Sequence, residues 1–479
     1  MDEGALVSSP DQANVGHEIK SVSGLSLSRV RELQEDYFKS RRTLEYGFRM
    51  EQLRRFYESV NKFESKILHA LEKDLGKGRR EGLMMELGMV RHEITYFRSH
   101  LKSLMKRRGM PTPFFLMPAR SFRQPEPLGR VLILGPWNYP FNLTLLPLIG
   151  AIAAGNCAVV KPSELSPHCS EVMAELIAET FPEEYITTFL GGVEVGQNIV
   201  DQPWDHVFFT GSTRVGSEIA QIAAKHLTPT TLELGGKSPG IISANAHVRI
   251  AARRLAFGKL TNAGQSCIAP DYLLVDESVK DSFLSHLKSE LQAGMGTPKE
   301  GDYTMGRIVS EKHYSRLENL RANCSVIWEG PHDRDSRYMA PVILEPEEDH
   351  KIWDEEIFGP LLPIQFYKKF EDALEIVNRR PKPLAAYLFT EDSSEINTFM
   401  DQVSFGGGCI NDTVFHLANN RIPFGGVGPS GIGSYHGEFS FHTFSHYKSI
   451  VQAATFLDLP TRYLPFSFWK EKLLRFFLR

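Results

Sequence analysis

No two of the five cysteines in this 479-residue chain form a C-x-x-C pair, and none is spaced from histidine as a metal ligand would be. An odd count also fits no disulfide framework, so a reducing cytoplasm and no structural metal are expected. Charge of one sign is equally scarce. The 54 Lys and Arg against 58 Asp and Glu leave a formal net charge of -4, which gives no basic field for nucleic acid. No window holds the roughly 18 consecutive apolar residues of a membrane-spanning helix; the nearest are broken by Asn138, Asn142 or Gly155. Residues 1–24 begin with Asp2 and Glu3, lack the basic start and apolar core of a secretory signal, and read as a flexible tail. Internal repeats and low-complexity runs are missing too.

What is present fits a globular chain of more than one domain. Hydrophobic residues make up 42% and charged residues 23%, ordinary values for a packed core, and the length exceeds the roughly 250–300 residues at which one core stops growing. From Ser26 to Leu75 apolar residues recur at helical spacing (Leu53, Phe56, Tyr57, Val60, Phe63, Ile67), which predicts amphipathic helices packed on a sheet. Short apolar runs then alternate with helical stretches. Strands are expected at Val131 to Leu134, Ala158 to Val160, Thr187 to Leu190 and His206 to Thr210, with helices at Leu143 to Ala154, Glu171 to Thr180 and Ser212 to His226. This is the layout of a doubly wound, nucleotide-binding parallel sheet. A second alternation follows: strands at Gly240 to Ser243, Asp271 to Val275, Leu384 to Phe389 and Gly408 to Ile410, with helices at Val248 to Leu260, Asp281 to Leu291 and Ser393 to Met400. The fold class is therefore α/β, with a Rossmann-like cofactor domain (25–119 and 125–232) and a second α/β domain (233–411). Short stretches at 120–124 and 437–455 are candidate paired arms, 412–436 a return segment, and 456–479 an amphipathic tail.

Three separated side chains carry the chemistry. Cys267, in Gly264-Gln265-Ser266-Cys267, lies in a turn between a helix and a strand, where a thiol can reach a cleft beside its own backbone amide. Cys157, Cys169 and Cys409 sit in apolar or helical surroundings and read as small hydrophobes. Glu233, flanked by Leu232 and Leu234, reads equally as a satisfied structural carboxylate or as a base with a raised pKa. Asn138, in Gly135-Pro136-Trp137-Asn138-Tyr139-Pro140, is by itself a turn residue. Together the three suit thiolate attack on a carbonyl, an amide donor for the oxyanion, and a carboxylate that activates water. Gly211-Ser212-Thr213-Arg214-Val215-Gly216 follows a strand and opens a helix, so its amides suit a pyrophosphate; alone it reads as a turn capped by Ser212. Lys161-Pro162-Ser163-Glu164, after the second strand, puts a cation and a carboxylate where an adenosine ribose would lie. Its structural alternative is another capped helix start.

With Glu355-Glu356-Ile357-Phe358-Gly359-Pro360 and Pro423-Phe424-Gly425-Gly426-Val427-Gly428, these segments stand in the order found in NAD(P)-dependent aldehyde dehydrogenases. From about Arg41 to Tyr463 the chain resembles that superfamily, and within it the class 3 branch that includes fatty aldehyde dehydrogenases. The resemblance implies the aldehyde dehydrogenase fold with a small β oligomerisation arm, NAD or NADP as cofactor, and oxidation of aldehydes to acids. It implies Cys267 as nucleophile, Glu233 as general base and Asn138 as oxyanion donor. Gly211, Ser212 and Gly216 would bracket the pyrophosphate, Lys161 and Glu164 would meet the adenosine ribose, and Glu356 and Phe358 the nicotinamide ribose. Ser266 departs from the threonine common there. Glu164 disfavours a 2′-phosphate and Lys161 welcomes one, so NAD against NADP stays open.

The alternatives are acyl transfer to coenzyme A, which Glu233 disfavours, and a non-catalytic scaffold, which the intact trio disfavours. Medium- or long-chain or aromatic aldehydes are the expected class, with Tyr139, Phe415 and His416 as pocket walls. By analogy a homodimer is implied through the two arms. The tail from Pro465 mixes Phe466, Phe468, Trp469, Phe476 and Phe477 with Lys470, Lys472 and Arg475, a pattern for peripheral contact with a membrane surface or for docking on protein.

Overall fold

The computed structural model describes residues 19–295, 305–458, 463–465 and 467–477. Most of the expected 1–24 tail and parts of the expected 456–479 tail lie outside the described residues.

The alternation closes into two sheets. The first has six strands in the order Gly431–Ile432, Thr230–Glu233, His206–Thr210, Arg130–Leu134, Cys157–Lys161 and Ile186–Thr188. All neighbours are parallel except the antiparallel edge Gly431–Ile432. Strands buried on both faces explain the unbroken apolar runs. From Arg130–Leu134 the chain winds outward through Cys157–Lys161 to Ile186–Thr188, then returns to His206–Thr210 on the other side of its start. The direction reverses between Arg130–Leu134 and His206–Thr210, and a crevice opens at their carboxyl ends, the usual ligand position in such a sheet. Asn138 and Gly211 follow those two strands.

The second sheet runs Ser325–Glu329, Val342–Glu345, Leu361–Tyr367, Tyr272–Asp276, Pro239–Ile242, Ala385–Phe389 and Gly407–Ile410. Its first three strands are not legible in the sequence, each for a physical reason. Ser325–Glu329 is a largely exposed antiparallel edge, Val342–Glu345 is four residues long, and Leu361–Tyr367 carries Pro363, which reads as a strand breaker.

The helix Leu27–Lys39 reaches the first sheet, where Gln34 Nε2 donates to the Ala158 carbonyl at 2.9 Å. Tyr46–Lys62 and Glu64–Leu75 instead form an outer layer on other helices. Arg49 donates to Ala153 O at the end of Asn142–Ala154 (3.0 Å), and Thr180 bonds Ser59 (2.7 Å). The expectation that they pack on a sheet thus holds for the first helix alone, because Asn142–Ala154, buried throughout, already covers that face. Outside both sheets, Ala119–Pro127 pairs antiparallel with Ser445–Ala453 over nine residues, with Arg108–Met110 on its far edge. The paired stretch outruns 120–124 because it continues through Pro125 and Pro127.

Candidate active site

Cys267 is presented by a strained turn. Asn262, Ala263 and Gly264 adopt left-handed φ values of 51°, 53° and 71° in succession. For a residue with a Cβ this costs about 1–2 kcal/mol and persists where surrounding contacts enforce it. Gly264 is required twice over, since a Cβ there would stand 2.3 Å from the Gly359 carbonyl oxygen. The Gln265 side chain supplies the enforcing contacts. It donates to Asn262 O (3.0 Å) and Arg307 O (2.8 Å) and accepts from the Val309 amide (3.0 Å). The amides of Cys267 and Ile268 bond the sulfur and favour its ionised form.

Asn138 lies in the crossover from Arg130–Leu134 to the helix Asn142–Ala154 and is 3% exposed. Its Nδ2 donates to Gln265 O at 3.1 Å, two residues before Cys267, so the carboxamide stands beside the thiol turn. Glu233 ends the strand Thr230–Glu233, 2% exposed, and neither carboxylate oxygen has a hydrogen-bond partner among the described residues. Asn138, Glu233 and Cys267 line one cavity of about 350 Å³ together with Gly211, Trp137 and Phe358. Burial raises the Glu233 carboxyl well above the ordinary carboxylate range. It also raises the Cys267 thiol, with the charges of Glu356 and Glu233 adding to the shift. The two carboxylates thereby disfavour the thiolate form of Cys267.

The crevice beside this cavity encloses about 600 Å³ and is lined by Leu134, Pro136, Lys161, Ser163, Glu164 and Val215. Lys161 and Glu164 pair at 2.5 Å. Ser212 Oγ accepts from Val215 N (3.4 Å) and caps the 13-residue helix Thr213–Lys225, whose amino end faces an anion favourably. A Cβ on Gly211 would meet the Phe209 ring at 2.3 Å and one on Gly216 would strike Leu234 at 2.5 Å, so apolar side chains pack closely against both glycines. Buried Thr210 Oγ1 and Glu356 Oε1 lack partners among the described residues. Glu356 is raised to about 8 by burial and then by Asp271, and its carboxylate lies against Gly235, where a Cβ would come within 2.3 Å. Lys237 fixes the Glu356 loop by donating to Asp271 (2.5 Å), Ile352 O (2.8 Å) and Glu355 O (2.7 Å). Cleft, capped helix and orphaned polar atoms fit a dinucleotide.

On the far side of Cys267 a second cavity of about 510 Å³ is walled by Met85, Tyr139, Leu143, Val414, Leu417 and Phe424. Tyr139 lines this cavity, whereas Phe415 and His416 do not. Val414 takes a left-handed φ of 52° before the tight turn Phe415–Ala418, which rotates Phe415 outward onto Phe257 (5.4 Å, 11°). His416 stands one layer back, stacked on Phe424 at 5.8 Å. Residues that the sequence did not single out also reach the site: Gln265 as an anchor, and Lys77 and Glu86, whose buried pair meets the Asn138 backbone. No sequence pattern marks the last two, since Lys77 lies in the link between two helices and Glu86 in a π-helical turn.

The aldehyde dehydrogenase family model matches residues 6–450. This chain belongs to the aldehyde dehydrogenase family. Over 425 residues, 88% of the chain and 93% of the relative, it is 46% identical to 4,4'-diaponeurosporen-aldehyde dehydrogenase of Staphylococcus aureus. Over 412 residues, 86% of the chain and 85% of the relative, it is 41% identical to aldehyde dehydrogenase family 3 member A2 of Rattus norvegicus. A solved structure, a substrate-bound state of a Staphylococcus aureus AldH, superposes with a TM-score of 0.92 at 43% identity, covering 95% of this chain and all of the other. The chain is thus an NAD- or NADP-dependent oxidoreductase that converts aldehydes to carboxylic acids, with the family's α/β fold. No described helix is long and apolar enough to cross a membrane.

Proposed function

We propose that Cys267 is the nucleophile, Asn138 the oxyanion donor and Glu233 the base that activates water. The observation that carries this reading is the single cavity the three share, in which both Glu233 oxygens lack a protein partner and so remain available to a water. The Cys267 thiolate adds to the aldehyde carbon, and the resulting oxyanion meets the Asn138 carboxamide and the Cys267 amide. Lys161, Glu164, Glu356 and the amino end of Thr213–Lys225 hold the dinucleotide, which when bound supplies the hydride acceptor. Once hydride has left its carbon the adduct is a thioester; Glu233 takes a proton from the water that attacks it, and the departing Cys267 sulfur is reprotonated with that proton as the acid leaves. Water rather than coenzyme A is favoured because Glu233 is positioned to deprotonate it. Replacing Asn138 with Ala lowers kcat about 10²- to 10³-fold, measured as NAD(P)H formation with a simple aldehyde; unchanged kcat would refute its role. The apolar wall around Cys267, together with the 4,4'-diaponeurosporen-aldehyde in the name of the Staphylococcus aureus relative, supports medium- or long-chain or aromatic aldehydes.

We further infer a homodimer in the cytoplasm with peripheral membrane contact. Ser445–Ala453 is a nine-residue edge strand with Ile450 40% and Val451 54% exposed, a row of pairing groups that asks for cover. The tail helix Phe468–Phe477 exposes Phe468 (84%), Trp469 and Phe476 while Lys470 turns inward to the Tyr463 and Pro465 carbonyls. Full-length chain and a chain ending at Tyr463 should both sediment as dimers, and only the first should float with anionic vesicles. A monomer, or flotation of both, would contradict this.

A further inference from the structure

An ion pair closed to solvent lies beneath Asn138. Lys77 and Glu86 have side chains 0% exposed and approach to 2.6 Å. Lys77 follows Gly76, the left-handed end of Glu64–Leu75, and Glu86 sits in the π-helical turn Gly82–Leu87. Such turns re-aim side chains and concentrate at functional sites. A buried pair stabilises little beyond what apolar side chains of the same volume would, so stability alone does not account for it.

The ammonium makes more contacts than the pair requires. It donates to the Asn138 backbone carbonyl at 2.6 Å and lies 3.7 Å from the centroid of the Tyr139 ring. The second Glu86 oxygen accepts the Asn142 amide at 2.8 Å, and Asn142 Nδ2 donates to Met85 O at 2.9 Å. The pair therefore grips both ends of the crossover 138–142. From the thiol side, Asn262 Nδ2 also donates to Asn138 O (2.9 Å). The peptide that carries Asn138 is fixed from two directions while its carboxamide is held by Gln265 O.

We propose that Lys77, held by Glu86, is a positioning residue for the oxyanion donor. It sets the Asn138 peptide, and with it the direction of the carboxamide, and it steadies the Tyr139 ring at the mouth of the aldehyde cavity. It acts through Asn138 and so rests on the role proposed for that residue. In the alternative, Lys77 is a mere counter-ion for Glu86 and for the neighbouring half-buried Glu81. Two comparisons of kcat separate these. Lys77→Met should lower kcat about 10- to 100-fold with cofactor affinity unchanged, and Lys77→Met/Glu86→Gln, in which neither charge is left unpaired, should keep that loss. In an Asn138→Ala background, Lys77→Met should lower kcat less than about twofold, since the carboxamide it orients is gone and its contact with the Tyr139 ring bears on aldehyde affinity. Should Lys77→Met fail to fold, the double variant makes the same comparison in both backgrounds. Recovery of kcat in the double variant, or an equal factor in both backgrounds, would overturn the inference. Wild-type kcat in Asn138→Ala would instead overturn the role of Asn138, and the lysine's with it.

Discussion

Replacing Cys267 with Ala should reduce aldehyde-dependent NAD(P)H formation about 10⁴- to 10⁶-fold, the range seen when a covalent nucleophile is removed. Cofactor affinity should be unchanged, because Lys161, Glu164 and Val215 line a crevice that Cys267 does not line. The same change at Cys157 or Cys169, both buried in the core, should alter stability rather than kcat. Residual turnover above one hundredth of wild type in Cys267→Ala would mean that another group attacks the carbonyl.

Glu233→Gln should separate the two halves of the reaction. Acylation keeps its nucleophile and oxyanion donor, so a burst of one NAD(P)H per active site is expected, followed by steady turnover reduced about 10²- to 10⁴-fold. In the wild type the steady rate should climb with pH as the buried carboxyl, raised well above its ordinary range, gives up its proton; the variant should lose that climb. Stability carries the opposite sign. The folded state holds the Glu233 proton at pH values where the unfolded chain, with its carboxyl near 4.5, has released it. Wild-type stability contributed by this group is thus intact below that value and falls above it, by at most about 1.4 kcal/mol per pH unit, until the folded-state pKa is reached. Glu233→Gln has no such loss, so its advantage in unfolding midpoint should widen from pH 5 to pH 8. A constant difference would place the carboxylate in a wetter or paired setting.

Much of this fold was readable because a doubly wound sheet buries its strands on both faces, leaving unbroken apolar runs such as Val131 to Leu134 between helical stretches. The strands that escaped were those whose sequence follows local rather than global rules: an exposed edge at Ser325–Glu329 and a proline inside Leu361–Tyr367. In the site, Asn138, Glu233 and Cys267 stand in segments with turn or strand chemistry around them and drew attention as a set, whereas Glu356, which alone reads as a surface carboxylate, was reached only through the family resemblance. Lys77 and Glu86 were not, because nothing local distinguishes a buried ion pair from the many exposed ones on helices. Only the tertiary contact with the Asn138 carbonyl reveals them. Phe415 and His416 were misplaced for a related reason: one left-handed residue, Val414, rotates the turn and exchanges which side chains face the cavity.

A covalent adduct at one sulfur is the signature of this chemistry. Glu233→Gln mixed with aldehyde and NAD(P), quenched at the end of the burst and mapped by peptide mass spectrometry, should carry one acyl group, on Cys267. An acyl group on any other residue, or a full NAD(P)H burst with an unmodified Cys267, would contradict it.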